Sequence, residues 1–385
     1  GSGNVTIERF ESITFRGSNS YTGVTTIPAR TTLSLEGPNG AIVGDVAVDG
    51  TLNFSRSTDM TYGGVVSGAG SISIDPTSRL TLTGAHIFTG RSYIYGGTLA
   101  LTGSASLATS GELRFGGNGA LDVSGLTAGA NHDGHNFALA AGQRLTGSGH
   151  VLGDVTVRAD STISPTYSGG AITIDGTVRV EAGGEISMQV FGPGDSDSDR
   201  SQLIATGDLV LAGAGGNDYV SIVFENPNDY AGTVPATYTI AVAEDIITTT
   251  LATPITATMG GDGAGSAYDP AGLQFLAHGF SPWDRLTLSL VDNELIVDFQ
   301  PALAGDFDQD GVVNGGDFLA WQRGESPSST AASDLAVWSA HFGEVDLHGQ
   351  TAGAAIPEPA TVELLLLAAA LFAGVFRRAR SDRTC

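Results

Sequence analysis

The chain has 385 residues, enough for two or three domains, and its 41 acidic against 17 basic residues give a formal charge of −24. That balance argues against nucleic acid or anionic membrane as partners of the main body and favours cations. With 55 glycines, 15% charged residues and one cysteine, the composition predicts short strands and turns with no intrachain disulfide, so a long stacked core or a metal must stabilise an exported form.

The first residue is not Met, and a signal peptide is expected to have preceded Gly1. Two stretches then align without gaps at an offset of 67 residues, Ile13-Thr14-Phe15-Arg16-Gly17 against Leu80-Thr81-Leu82-Thr83-Gly84. One inserted residue later, Leu33-Ser34-Leu35 answers Leu99-Ala100-Leu101. Short alternating pieces such as Val46-Ala47-Val48, Thr51-Leu52-Asn53-Phe54 and Ile72-Ser73-Ile74 lie between them, each closed by glycine or an aspartate turn. Three coils of roughly 22 residues within that offset would fit a solenoid whose aliphatic rows point inward.

The run Leu80-Thr81-Leu82-Thr83-Gly84, Phe88-Thr89-Gly90, Ile94 and Gly96-Gly97-Thr98-Leu99-Ala100-Leu101 resembles the autotransporter-associated β-strand repeat. The resemblance covers about residues 10–165 and implies an all-β fold, a right-handed parallel β-helix of an exported surface protein. An antiparallel β-sandwich is the competing architecture. Val155-Thr156-Val157, Ile172-Thr173-Ile174, Val178-Arg179-Val180 and Ile186-Ser187-Met188 continue the rhythm, so the β-helix is expected over 1–212. Longer strands, Tyr219 to Phe224, Tyr238 to Val242 and Leu286 to Phe299, predict a β-rich cap over 213–300.

The sharpest chemical pattern is Asp306, Asp308, Asp310, Asn314 and Asp317, with Gly311 at the sixth position of a twelve-residue loop. Oxygens at that spacing, completed by the Val312 carbonyl, suit Ca²⁺ better than Mg²⁺; an acidic Asp-Gly turn is the alternative. A short helix is expected from Phe318 to Arg323, with Asp317 at its N-terminus. A calcium loop followed only by an exiting helix resembles a type I dockerin, and Asp334 to Gly343 echoes its second half without ligands ahead of it. The resemblance implies one calcium, two packed α-helices and a module over 303–346. Both a cohesin-binding module and a calcium-stiffened spacer remain open.

After a linker over 347–359 come Pro357-Glu358-Pro359, an apolar run from Leu364 to Phe376, and Arg377, Arg378, Arg380 and Arg383. Counted from Ala360, the run reaches the lower limit for a transmembrane helix, with Glu363 as a costly interruption and the arginines expected on the cytoplasmic side. The order resembles the PEP-CTERM sorting signal, which implies exosortase-type processing, a membrane anchor over 360–385 and an envelope or extracellular location.

Two weaker clusters are read as turns: Asp195, Asp197 and Asp199 could hold a second cation, and His132, Asp133 and His135 lack a third zinc partner. No catalytic motif is legible. The sequence therefore predicts a non-enzymatic surface protein, structural or adhesive, with extracellular polysaccharide or a cohesin-like protein as possible partners. A polysaccharide-degrading β-helix enzyme is the alternative, resting on fold analogy alone.

Overall fold

Alternation at period two decides which side chains enter the core. In the strand Thr32–Gly37, Leu33 and Leu35 are buried; Leu52 and Phe54 are buried in Thr51–Arg56, Ile72 and Ile74 in Ser71–Ile74. A strand alternating this way can bury only one face, so its neighbours must supply the other wall of the core. The computed structural model describes residues 1–8, 11–75, 78–165, 170–192, 199–213, 219–227, 235–248, 251, 253–260, 262–269, 272–282, 284–308, 310–326 and 330–345. The chain forms two compact units, Gly1–Ala302 and Leu303–Cys385.

The first unit is a parallel solenoid with three faces. One coil runs through Arg79–Leu82, Ile87–Phe88 and Arg91–Ile94, one strand to each face, before Thr98–Gly103 returns beside the first. The faces are an 11-stranded sheet, a 12-stranded sheet, and two five-stranded sheets that take the third place in the coil at successive stages of the chain. On the 12-stranded face, parallel register stacks Ile13, Leu33, Leu52, Ile72, Ser92, Leu113, Leu145, Ile163, Ile186, Ile222 and Phe275 into one inward row. Ser92 is the polar member of that row, and the buried Ser110 hydroxyl lies 3.1 Å from its own.

This register corrects the coil length. Ile13 pairs with Leu33, Leu33 with Leu52 and Leu52 with Ile72, steps of 19 to 20 residues rather than 22. Ile13 lies in the 12-stranded sheet and Leu80 in the 11-stranded sheet. The offset of 67 residues therefore joins strands on different faces, three coils and one further strand apart. It is visible because every face uses the same alternating pattern.

Two glycine columns keep the true step. Gly23 and Gly44 each sit where a Cβ would strike the carbonyl of a glycine one coil earlier; Gly70 over Gly50 and Gly90 over Gly70 form a second such column, with Gly50 itself against the Thr31 carbonyl. Aspartates at the corners hold successive coils together: Asp45 accepts the Val65 amide at 2.8 Å, Asp49 that of Ala69 at 3.1 Å and Asp59 that of Arg79 at 2.9 Å.

The parallel ladder runs past residue 212. Val220–Glu225 pairs in parallel with Glu185–Gln189 and with Leu273–His278, so it is a solenoid strand and not part of a separate cap. Closure comes later, where Glu294–Gln300 pairs antiparallel with both Ala236–Val242 and Arg285–Val291. The stretch expected as one long strand from Leu286 to Phe299 is thus a hairpin, turned at Asp292 with φ of 52°. Phe224, Tyr238, Phe280 and Phe299 fill the core beneath it with ring centroids 5.4 to 5.8 Å apart.

The second unit holds two helices, α1 (Gly315–Gln322) and α2 (Ala332–His341). α1 begins three residues earlier than expected, because Asn314 is the N-cap and Asp317 closes a capping box from inside the first turn. Among the described residues no helix is long and apolar enough to cross a membrane. The expected span over 360–376 lies outside the described residues, as do Pro357, Glu358, Pro359, Arg377 and Arg378.

Candidate functional site

The loop ahead of α1 gathers its carboxylates on backbone amides. Asp317 is fully buried and accepts the amides of Phe307 at 2.6 Å, Asp308 at 3.1 Å and Asn314 at 2.7 Å. Asp306 accepts the amides of Asp310 at 3.1 Å and Gly311 at 3.0 Å, and Gly311 has φ of 83°, the left-handed bend that favours glycine. One carboxylate oxygen from each of Asp306, Asp308 and Asp317 lies within 4.8 Å of the others, the one such metal-capable group among the described residues.

The remaining sequence-predicted ligands are nearby but engaged within the loop. Asp310 accepts the Val312 amide at 2.9 Å and the Asn314 side-chain amide at 3.2 Å. That amide also reaches the Val312 carbonyl at 3.1 Å, while the Asn314 side-chain oxygen caps Gly316 at 2.6 Å. Gly316 leaves room for Asp308, whose carboxylate occupies the place of a Cβ. Burial pushes the Asp306 carboxyl up to about 6; the charges of Asp317 and Asp310 add to this and the Gly311 amide opposes it. Asp308 is raised by the same causes, burial first and then Asp317 and Asp310. Arg323 is electrostatically coupled to Asp308, and crowded like charges of this kind are the electrostatic condition that a hard divalent cation relieves.

The helices brace this loop. The Trp338 indole donates to the Asn314 carbonyl at 2.7 Å and that of Trp321 to Ala331 at 3.0 Å. Phe318 packs between both indoles in tilted contacts at 5.6 and 5.2 Å, and Val313 is buried, with its amide bonded to the Glu344 carbonyl at 2.9 Å.

The turn of His132, Asp133 and His135 is held by its own hydrogen bonds. Asp133 accepts the amides of His135 at 2.8 Å and Asn136 at 2.7 Å and the Thr156 hydroxyl at 2.6 Å, while His132 accepts the Gly134 amide at 3.1 Å. Burial alone would raise the Asp133 carboxyl, but these bonds outweigh it and hold it below the usual carboxylate range. Asp195 and Asp197 lie outside the described residues.

Sequence reasoning missed one assembly. Arg91, Arg114 and Arg144, widely spaced along the chain, stand on three consecutive strands of the 12-stranded face around Glu112 and line an open groove of about 860 Å³. The signal was the register itself, which becomes readable once the coil step is known.

Comparison with known proteins bears on both ends of the chain. The PEP-CTERM protein-sorting motif matches residues 355–381, covering Pro357, Glu358, Pro359, Arg377 and Arg378. The chain carries the mark of an exported envelope or extracellular protein handled by exosortase-type sorting machinery. A family described as repeats of unknown function (DUF5649) matches 29–94 and 134–189, both within the solenoid. The adhesin BmaC autotransporter of Brucella suis biovar 1 (strain 1330) is 28% identical over 268 residues, 55% of this chain. The chain spans 8% of that adhesin's length.

Proposed function

We propose that this chain is a non-enzymatic surface protein, an adhesive or structural β-solenoid delivered through its sorting signal, with a dockerin-like unit at 303–346 stiffened by Ca²⁺. The sorting motif at 355–381 carries the reading, and the likeness of about half of the chain to part of an autotransporter adhesin favours adhesion over catalysis. The apolar run over 360–376 would anchor the chain in the membrane before processing, with Arg377 and Arg378 cytoplasmic.

The calcium set is Asp306, Asp308, Asp310, Asn314, Asp317 and the Val312 carbonyl. The packing of three carboxylates within 4.8 Å, with Asp306 pushed up to about 6, supports it. The ion would neutralise that repulsion and fix the loop against α1. A polysaccharide-degrading enzyme is the alternative reading, and a glycosidase of that kind would need two carboxylates about 5 to 9.5 Å apart.

Mass spectrometry of the mature C-terminus from producing cells tests the sorting half. Loss of the segment after Pro359 and recovery from the envelope or medium are expected, whereas an intact chain confined to the cytoplasm would refute it. Calorimetric titration of the full chain with CaCl₂ tests the metal half: one site is expected, abolished by Asp308→Ala. Absence of heat in the native chain removes the calcium from the proposal.

A further inference from the structure

Three Asn-Gly pairs occur in the chain, Asn39-Gly40, Asn118-Gly119 and Asn314-Gly315. In such a pair the glycine amide nitrogen can close a five-membered ring on the asparagine Cγ, and no Cβ on the glycine shields the attack. The dipeptide is the same three times, but its surroundings are not.

Asn314 is held at both ends of its side chain. Its oxygen accepts the Gly316 amide at 2.6 Å, and its nitrogen donates to Asp310 at 3.2 Å and to the Val312 carbonyl at 3.1 Å. Asn39 is exposed, but the nucleophile beside it is engaged, because the Gly40 amide donates to the Glu36 carbonyl at 3.1 Å. The buried Arg56 guanidinium also grips the carbonyls on either side of Asn39, that of Pro38 at 2.7 Å and that of Gly40. This turn cannot flex without breaking those bonds.

Asn118 differs in both respects. It is exposed in the turn between the strands Glu112–Phe115 and Ala120–Leu126, following Gly117 with φ of 61°. Neither its side chain nor the Gly119 amide makes a hydrogen bond among the described residues. A Cβ at Gly119 would strike the Ile94 carbonyl oxygen of the preceding coil and lie 2.9 Å from its carbon. Packing therefore forbids at 119 the side chains that would slow ring closure.

We propose that Asn118 is a site of spontaneous deamidation in the folded chain, with water as the second reactant. The Gly119 nitrogen attacks the Asn118 Cγ; the new C–N bond closes an imide, and Nδ2 departs as ammonia with the proton that the amide gives up. Water then opens the imide at either carbonyl, leaving aspartate or isoaspartate with no change of oxidation state. Each conversion adds one negative charge to a chain of −24. The isoaspartyl product also lengthens the main chain beside Gly119, whose carbonyl accepts the His150 amide of the next coil at 3.1 Å. The modification thus reaches a contact between coils.

The test is incubation of the purified full chain in warm, mildly alkaline buffer made with heavy-oxygen water, followed by peptide mass spectrometry and isoelectric focusing. Label should enter at Asn118 first. Asn39 should follow about tenfold more slowly, which is about 1.4 kcal/mol on the barrier and the size of one net hydrogen bond. Asn314, with its side chain bonded three times, should be slower still. In urea the three rates should converge, because folding sets their order. Asn118→Gln cannot close the five-membered ring and should remove the early acidic shift on focusing. Label entering Asn118 no faster than Asn39 or Asn314, or an Asn118 that converts in urea but not in the folded chain, would overturn the proposal.

Discussion

Gly70→Ala probes the spacing on which the solenoid depends. A Cβ at this position would sit on the Gly50 carbonyl oxygen and 2.7 Å from the Asp49 carbonyl carbon, both backbone atoms of the preceding coil. Neither can rotate away, because Gly70 itself donates to the Val48 carbonyl at 2.8 Å and Ser71 to Gly50 at 2.9 Å. Overpacking of this kind costs about 1 to 3 kcal/mol, and a purely backbone clash belongs at the upper end, about 3 kcal/mol. Two comparison variants separate the causes. Gly103 has φ of 64° with nothing within 4 Å of a Cβ, so alanine there meets only left-handed strain of about 1 to 2 kcal/mol. Gly17 has open space and no positive φ, so alanine there should be neutral or stabilise by up to about 1 kcal/mol. Urea unfolding of the full chain, followed by circular dichroism, should rank the midpoints Gly17→Ala, Gly103→Ala, Gly70→Ala from highest to lowest. If Gly70→Ala unfolds with Gly17→Ala, close approach between coils does not set the coil step.

Two further predictions concern buried polar groups. His86 is 2% exposed, accepts the Val66 amide on Nδ1 at 3.1 Å and stacks on Tyr62; burial lowers it from 6.5 to about 4. The unfolded chain therefore binds the proton first as pH falls, so stability present above about 6.5 is lost towards 4, by roughly 3 kcal/mol. His86→Leu should flatten that part of the pH dependence, and an unchanged slope in urea midpoints between pH 7 and 4 would refute the assignment. Asn131 is fully buried, takes the Leu107 amide at 2.7 Å, and donates to the Ala138 carbonyl at 3.0 Å and to Gln143 at 2.9 Å. Asn131→Ala should cost about 2 to 4 kcal/mol by orphaning these partners, read as a lower melting temperature; a shift below 1 °C would show that the enlarged coil between the paired strands Glu112–Phe115 and Arg144–Gly147 does not depend on it.

The acidic loop was legible because its ligands are contiguous: spacing along the chain becomes spacing around a point, and Gly311 marks the bend. The solenoid was legible as alternation, which reports a half-buried strand but not its direction. That is why Val220–Glu225 read as a cap strand although it pairs in parallel with Glu185–Gln189. The coil step was open to a closer reading through Gly50, Gly70 and Gly90, whose separation is the rung repeat, yet Leu80-Thr81-Leu82 matched Ile13-Thr14-Phe15 more conspicuously. The helix start at Asn314 was obscured because Asp317 has two roles, accepting amides from the loop and closing the capping box.

The arginine groove shows why a stacked coil hides its surfaces from linear reading. Register, not distance along the chain, decides adjacency: Arg144 stands beside Glu112 because Leu145 stacks on Leu113, although the intervening coil is enlarged by the segment that Asn131 and Gln143 hold. Gln143 in turn donates to the carbonyls of Leu107 at 2.8 Å and Ser110 at 2.9 Å, on the coil that carries Glu112 and Arg114. The buried amide pair thus ties the enlarged coil to its predecessor one residue before Arg144. The same hydrogen bonds that accommodate the longer loop also fix the position of the third guanidinium, so the shape of the groove depends on residues that never line it.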